Sequence, residues 1–363
     1  MSINDFSVID LFCGVGGLTH GFVKEKFKID GGIDSDQSCS YAFEKNNKTK
    51  FYHSDVTTLT GEDLNSIFTK GKRRILVGCA PCQPFSIYNR KGVKSLTVSE
   101  GESENVKWKL LYSFADLIEA TQPEIVSMEN VPLLVKYDGG KVFEDFKERL
   151  ISNGYHVTWY IVNAQDYGVP QRRKRLVLFA SKHGKIELID KTIQENDYVT
   201  VERAIGHLPR IQDGVPDKND PLHLARKLTD LNKKRIQATK EGGNWEDWDE
   251  NLLLECHKKE SGRHFKSVYG RMKWNDVAPT MTTYCVGYSN GRFGHPEQDR
   301  AISLREAALI QSFPQDYDFI NPEEEVSSAT IARQIGNAVP VELGVAVAKS
   351  IKRHVESIES SNV

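Results

Sequence analysis

Cysteine is scarce in this chain, with six residues (13, 39, 79, 82, 256 and 285) among 363. That is too sparse for a disulfide scaffold and suits a reducing compartment. Long apolar runs are missing as well. No stretch approaches the roughly 18 consecutive residues that a membrane helix needs, so no membrane partner is expected. The opening MSINDFSVIDLF has neither a basic leader nor a small-residue cleavage site, and no secretion signal is read from it. Charge of one sign is also lacking, since 48 basic against 50 acidic residues leave −2. A nucleic-acid partner, if there is one, must be met by a local basic patch. Repeats and low-complexity tracts are absent. What is present, 39% hydrophobic and 27% charged residues with 27 glycines, is the make-up of an ordinary globular protein. The length sets a prior of about two domains.

The first 180 residues alternate β-rich runs with helix-compatible stretches. Expected strands are Ser7–Phe12, Lys28–Asp34, Lys50–Asp55, Arg74–Ala80, Glu124–Asn130, Tyr155–Asn163 and Leu176–Ala180. Leu110–Ala120 and Lys141–Asn153 read as helices, the second with Phe143, Phe146, Leu150 and Ile151 at helical spacing and Gly154 as its stop. Such alternation predicts an α/β fold, a doubly wound, mostly parallel seven-stranded sheet with helices on both faces. The last two strands have only a loop between them and should form an antiparallel hairpin at one edge. From about residue 182 to 300 the pattern becomes irregular, as expected of a smaller second domain with little regular helix. Helical periodicity resumes at Leu304–Gln311. A final helix is expected after Asn337, with Pro340 in its first turn and Val341, Val345, Ala348, Ile351, Val355 and Ile358 on one face, docked on the N-terminal sheet.

Five motifs carry chemistry. DLFCGVGGLTHGF (10–22) is a strand, a glycine turn and a helix start, where Gly14, Gly16 and Gly17 let a ligand approach the backbone. Asp34, some 20 residues on, and Asp55 end the next two strands, so three strand ends offer a nucleoside-shaped site. The dinucleotide pattern GxGxxG fails, because Thr19 holds the place of its third glycine. GCAPCQPFS (78–86) holds a CxxC whose readings are a redox dithiol, half a zinc site, a structural cysteine, or a single nucleophilic thiol, Cys82. Cys256 and Cys285, 29 residues apart, supply no second zinc half, and no metal is expected. MENV (128–131) ends a buried strand in Glu129, which is either ion-paired for structure or used toward a substrate. In QRRKRLVLF (171–179), Arg173 and Arg175 enter an apolar strand as partners for Glu129 or a substrate oxygen. RQIGNAVP (333–340) by itself reads as a helix N-cap at Asn337.

Together and in this order, these motifs, with REAALIQSFP (305–314), resemble the C5-cytosine DNA methyltransferase family, prokaryotic and of the restriction-modification type, from Asp10 to about Gly344 outside the variable 182–300. The resemblance implies the S-adenosylmethionine-dependent methyltransferase fold. It expects a catalytic domain of residues 1–205 and 325–363 and a target-recognition domain and hinge of 206–324. It implies that Cys82 attacks C6 of a flipped-out cytosine in a specific double-stranded DNA sequence, that Glu129 hydrogen-bonds the base, and that Arg173 and Arg175 orient Glu129 and contact the base oxygen. S-adenosyl-L-methionine would be held by Phe12, Gly14, Gly16, Gly17, Asp34, Ser35, Asp55, Val56, Pro81, Leu110, Asn337 and Ala338. DNA contacts are expected from Gln83, Ser86, Arg90 and Lys107, and from a stripe of Lys258, Lys259, Arg263, Lys266, Arg271 and Lys273, where six cations face one acid, Glu260. The text NVKW (105–108) departs from the family's usual Asp-x-Arg-Gly, with Lys107 in the place of the arginine and Trp108 in that of the glycine. The acidic WEDWDE (245–250) is expected to point away from DNA. A cytoplasmic, nucleoid-associated monomer paired with a restriction endonuclease of the same specificity completes the expectation. Rivals are a tRNA methyltransferase of the same family and a catalytically silent DNA-binding protein on this fold.

Overall fold

The computed structural model describes residues 2–81, 102–262, 264–324 and 326–360. Contacts divide them into two compact units: one within Met1–Asn163, Lys174–Lys191 and Val341–Val363, the other of Ala164–Arg173 and Thr192–Pro340.

The first unit is built on a sheet of β1 (Phe6–Leu11), β2 (Lys28–Asp34), β3 (Phe51–His53), β4 (Arg73–Gly78), β5 (Ile125–Asn130), β6 (His156–Asn163) and β7 (Lys174–Ser181), in the order 3-2-1-4-5-7-6. The first five strands are mutually parallel, and β7 lies antiparallel between β5 and β6. This is the doubly wound sheet the alternation predicts, with its hairpin at one edge. β1 and β5 are buried at every position, as continuous apolar strands covered on both faces should be, whereas the edge strand β6 leaves Trp159 and Ile161 exposed. β3 is shorter than expected, three residues only. The strand order reverses between β1 and β4, and ligands of such sheets bind at that switch, beyond the strands' carboxyl ends.

Helices α1 (Gly17–Lys24), α2 (Ser40–Asn47), α3 (Gly61–Ile67), α4 (Glu102–Thr121) and α5 (Lys141–Ser152) connect these strands, and α11 (Val341–Ser360) closes the unit. Phe114, Phe143, Phe146 and Leu150 bury the facing sides of α4 and α5 in one core with Leu76, Val126 and Leu178 of the sheet. Arg149 clamps the same two helices, donating to Asp116 at 2.6 Å and Glu119 at 2.8 Å. Gly154 follows α5 at φ +85° and ends it as expected, its N–H donating to the Ile151 carbonyl. The apolar face of α11 is buried from Val341 to Val355, but its principal partner is α1 and not the sheet. The two helices meet backbone to backbone: a Cβ on Gly21 would lie 2.3 Å from the Gly344 carbonyl carbon. Two bare glycines permit an approach that a helix laid on bulky sheet side chains does not need.

The second unit carries the short helices α6 (Val201–Ile205), α7 (Asp230–Ala238), α8 (Glu255–Lys258) and α9 (Leu304–Ile310), then α10 (Ser328–Asn337). One core gathers Ile236, Trp245, Trp248 and Tyr288. Asn337 does not cap the final helix: it is the last residue of α10, and α11 starts at Val341, after Pro340. The chain leaves the helix at Ala338, extended at ψ 145°, and the following Val339 is kept out of the helical region by Pro340.

Candidate active site

β1 delivers the chain into a tight turn at the sheet's carboxyl edge. Phe12 takes a left-handed φ of 59°, unusual for an aromatic residue, and Gly14 (φ +51°) and Gly16 (φ +86°) follow. Strained backbone of this kind persists where surrounding structure holds it. Two carboxylates do so here. Asp34, ending β2, accepts from the Gly14 N–H at 2.8 Å on one oxygen and from the Asp36 N–H at 2.9 Å on the other. Asp10 is buried inside β1 and accepts from the Thr19 hydroxyl at 2.6 Å. Burial pushes the Asp10 carboxyl up to about 7, and burial also raises Asp34 against the lowering effect of its two N–H donors. Thr19 thus has a use that explains why it replaces a glycine.

A Cβ built on Gly14 would face open space, and Gly16, which begins α1, provides no side-chain cap for the helix. Ser35 is exposed after the end of β2, Asp55 is exposed beyond β3, Val56 is buried and Leu110 of α4 is half-buried. The Thr57 N–H holds the Asp55 carboxylate below its usual range. Bare backbone, a helix start without a side-chain cap and acidic groups at two neighbouring strand ends fit a nucleoside that bears a charged tail.

Further along the same edge, β4 and β5 place a second cluster. Their parallel register pairs Gly78 with Met128, so Cys79 and Glu129 follow side by side. The antiparallel register pairs Glu129 with Val177, and Arg175, two residues earlier on β7, shares its face of the sheet. The side chains converge accordingly. Glu129, 3% exposed, has Oε1 2.8 Å from Arg175 Nε, while its Oε2 accepts from the Cys79 thiol at 2.8 Å. The arginine contact is close but not aligned as a hydrogen bond, which leaves Oε1 with acceptor capacity inside the cluster. A buried carboxylate with an unused lone pair is ready for a ligand's donor. Asn130 Nδ2 donates to the Ala80 carbonyl at 3.2 Å and fixes the chain as it leaves β4 toward Pro81. Cys82, Gln83, Ser86, Arg90 and Arg263 lie outside the described residues, as does the side chain of Lys107.

Arg173 belongs to the second unit, where its guanidinium donates to the carbonyls of Met281 (2.9 Å) and Ala338 (3.4 Å). The neighbouring Gln171 bonds the Ile310 carbonyl and Gln311, and Gln311 bonds the Ile335 and Ala338 carbonyls. This buried network ties Ala164–Arg173, α9 and the end of α10 together. Arg173 takes part in that network, and among the described residues Arg175 pairs with Glu129. Sequence reasoning missed Gln171 and Gln311, although both sit inside motifs it had marked. Asn337 is exposed and Ala338 half-buried.

The basic stripe divides in two. Lys258, Lys259, Lys266 and Lys273 are exposed, with Lys258 paired to Glu255 and Lys266 to Glu246. The acidic run 245–250 therefore neutralises one stripe cation directly. Arg271, by contrast, is buried, and its guanidinium reaches the carbonyls of Ile236, Thr239, His295 and Gln298 as well as the Asp299 carboxylate. It holds the unit together and has no donor facing solvent for a phosphate. Its position inside a basic run gave no warning of this.

With this geometry in place, comparison with known proteins is informative. A family model described as C-5 cytosine-specific DNA methylase matches residues 6–353. The chain is 51% identical over 352 residues to the type II methylase M.HgiDII of Herpetosiphon aurantiacus, with 97% of this chain and 96% of that protein covered. It is 29% identical to the type II methyltransferase M1.HphI of Haemophilus parahaemolyticus, over 94% of this chain and 86% of that one. Among solved structures, a DNA modification methyltransferase encoded within an E. coli prophage superposes with a TM-score of 0.72 at 22% identity, over 97% and 99% of the two chains. The S. pombe Dnmt2 methyltransferase gives 0.59 at 16% identity, over 97% and 99%. These two likenesses speak for the fold.

Proposed function

This chain belongs to the C-5 cytosine-specific DNA methylase family, and on that premise we propose that it methylates C5 of a flipped-out cytosine in one specific double-stranded DNA sequence, with S-adenosylmethionine as methyl donor. The observation that carries the reading is Glu129, buried at a strand end, held by Arg175 and Cys79, and left with acceptor capacity.

The reaction needs a nucleophile, because C5 of an aromatic ring is a poor one. In this reading the Cys82 thiolate adds to C6, which breaks aromaticity and makes C5 enamine-like. Glu129 hydrogen-bonds the base edge and favours the charge that develops on the ring, with Arg175 as its counter-ion. Bound S-adenosylmethionine supplies an electrophilic methyl group. The turn at Phe12, Gly14, Gly16 and Gly17 would hold it, with Asp34 toward the ribose, Ser35, Asp55, Val56 and Leu110 around the adenine, and Pro81, Asn337 and Ala338 as the remaining contacts. Loss of the C5 proton to a base then expels the thiolate and restores the aromatic ring. Flipping the base out of the duplex costs a few kcal/mol, to be offset by backbone contacts. Lys258, Lys259, Lys266 and Lys273 are suited to phosphates. Localisation in the cytoplasm, a monomeric state and a companion endonuclease belong to the same reading.

A duplex carrying 5-fluorocytosine in the target sequence tests it, because fluorine at C5 blocks the final elimination and traps the adduct. The expected result is a covalent complex, stable to denaturation, that Cys82→Ser abolishes while S-adenosylmethionine binding stays within several-fold. An undiminished complex in that variant would show the nucleophile to be misplaced. No complex with the native protein on DNA, but one on tRNA, would favour the RNA branch of the family.

A further inference from the structure

The chemistry proposed for the cluster gives no role to one side chain in it, Cys79. The fold pins it well. Its N–H donates to the Leu11 carbonyl at 3.3 Å, and the next carbonyl, that of Ala80, accepts from Asn130. The register of β4 on β5 sets its side chain on the same face as Glu129, and its thiol donates to Glu129 Oε2 at 2.8 Å. On the other side Arg175 Nε lies 2.8 Å from Oε1. The carboxylate is therefore engaged at both oxygens, by a hydrogen bond from Cys79 just beyond β4 and by an ion pair with Arg175 of β7. A carboxylate bound at one oxygen swings about its last torsion, which is broad and roughly two-fold. Bound at both, it has one orientation, and the free lone pair of Oε1 then points one way.

We propose that Cys79 is a positioning residue, whose thiol fixes the plane of the Glu129 carboxylate for the incoming base. The inference rests on the assignment of Glu129 to the base-binding site. A thiol suits this place because it is a weak donor that steers the carboxylate without competing strongly with a ligand for its lone pairs. Cys79 forms a CxxC with Cys82 in the sequence, and among the described residues its thiol bonds the glutamate.

The test uses Cys79→Ala, which deletes the donor, and Cys79→Ser, which restores one. Methylation of target duplex is expected to fall about tenfold in kcat in Cys79→Ala, with KM for both substrates within twofold, and to recover to within about threefold in Cys79→Ser. A purely structural thiol would lower thermal stability without this loss of kcat at unchanged KM. Infrared spectra of the native protein give a readout independent of turnover. The S–H stretch that disappears in Cys79→Ala should lie below that of an unbonded thiol and shift upward in Glu129→Gln. A native-like kcat in Cys79→Ala, a serine variant no better than the alanine, or an S–H band indifferent to Glu129→Gln would each overturn the proposal. If the native protein failed to methylate cytosine while the band responded to Glu129→Gln, the function reading would fall and the Cys79–Glu129 contact would stand.

Discussion

Arg300 and Glu306 form the most deeply buried ion pair among the described residues, each 1% exposed. Two parallel bonds of 2.7 Å join them, the Ser303 N–H donates to the same carboxylate at 2.7 Å, and His295 Nε2 lies 3.6 Å away. Burial opposes ionisation of Glu306, but Arg300 outweighs it, and the carboxyl lies below its usual range. Arg300→Met removes the cation and keeps much of its apolar volume. An uncompensated buried charge is destabilising by about 3–5 kcal/mol. The carboxyl can escape by taking up a proton, and with an ordinary glutamate at about 4.3 that route caps the loss near 4 kcal/mol at pH 7 and near 1.5 kcal/mol at pH 5.5. His295 works in the same direction, since loss of Arg300 eases its protonation beside Glu306. The expected result in urea unfolding, followed by fluorescence that includes Trp274 packed edge-on against His295, is a loss that shrinks by more than half between those two pH values. Arg300→Met/Glu306→Gln should recover at least half of the loss at pH 7. A loss below about 1 kcal/mol, or one that does not vary with pH, would refute the reasoning.

In the native protein burial holds His295 down to about 4, against 6.5 for an ordinary histidine. The unfolded chain therefore binds the proton first, and stability falls as pH drops from about 6.5 to about 4, by roughly 3 kcal/mol for this group; His295→Gln should flatten that slope in acid unfolding curves. Gly21→Ala sets a Cβ 2.3 Å from backbone of α11, so the helices must part, with an expected loss of about 1–3 kcal/mol in thermal unfolding; an unchanged midpoint would mean that the two helices separate easily. Asp34→Ala releases the Gly14 N–H and removes an acceptor from the presumed ribose site. S-adenosylmethionine binding by calorimetry should weaken about ten- to hundredfold, about 1.4–2.8 kcal/mol, while covalent capture of 5-fluorocytosine DNA survives at saturating cofactor.

Alternation made most of the sheet legible, because β-rich runs recur between helix-compatible stretches and glycines and aspartates punctuate them. β2 and α5 show it best: one begins and ends where expected, and the other stops at Gly154. The site was legible only in part. Motifs marked Glu129 and Arg175, but which arginine meets the glutamate depends on strand register, and register is not written in a motif. Asn337 misled because an asparagine before proline suits a helix start as well as a helix end. Arg271 misled because a basic run does not reveal which cation is buried. Cys79 was hidden by the CxxC pattern, whose obvious partner is Cys82; only the pairing of Gly78 with Met128 brings its thiol to Glu129.

The central claim, methylation of cytosine C5 in a specific DNA sequence, is tested most directly by incubating a genome-sized DNA with the protein and S-adenosylmethionine and reading every cytosine by conversion sequencing. The account predicts protected cytosines confined to one short recurring sequence, and none with Glu129→Gln. Protection nowhere, or scattered without a shared sequence, would contradict it.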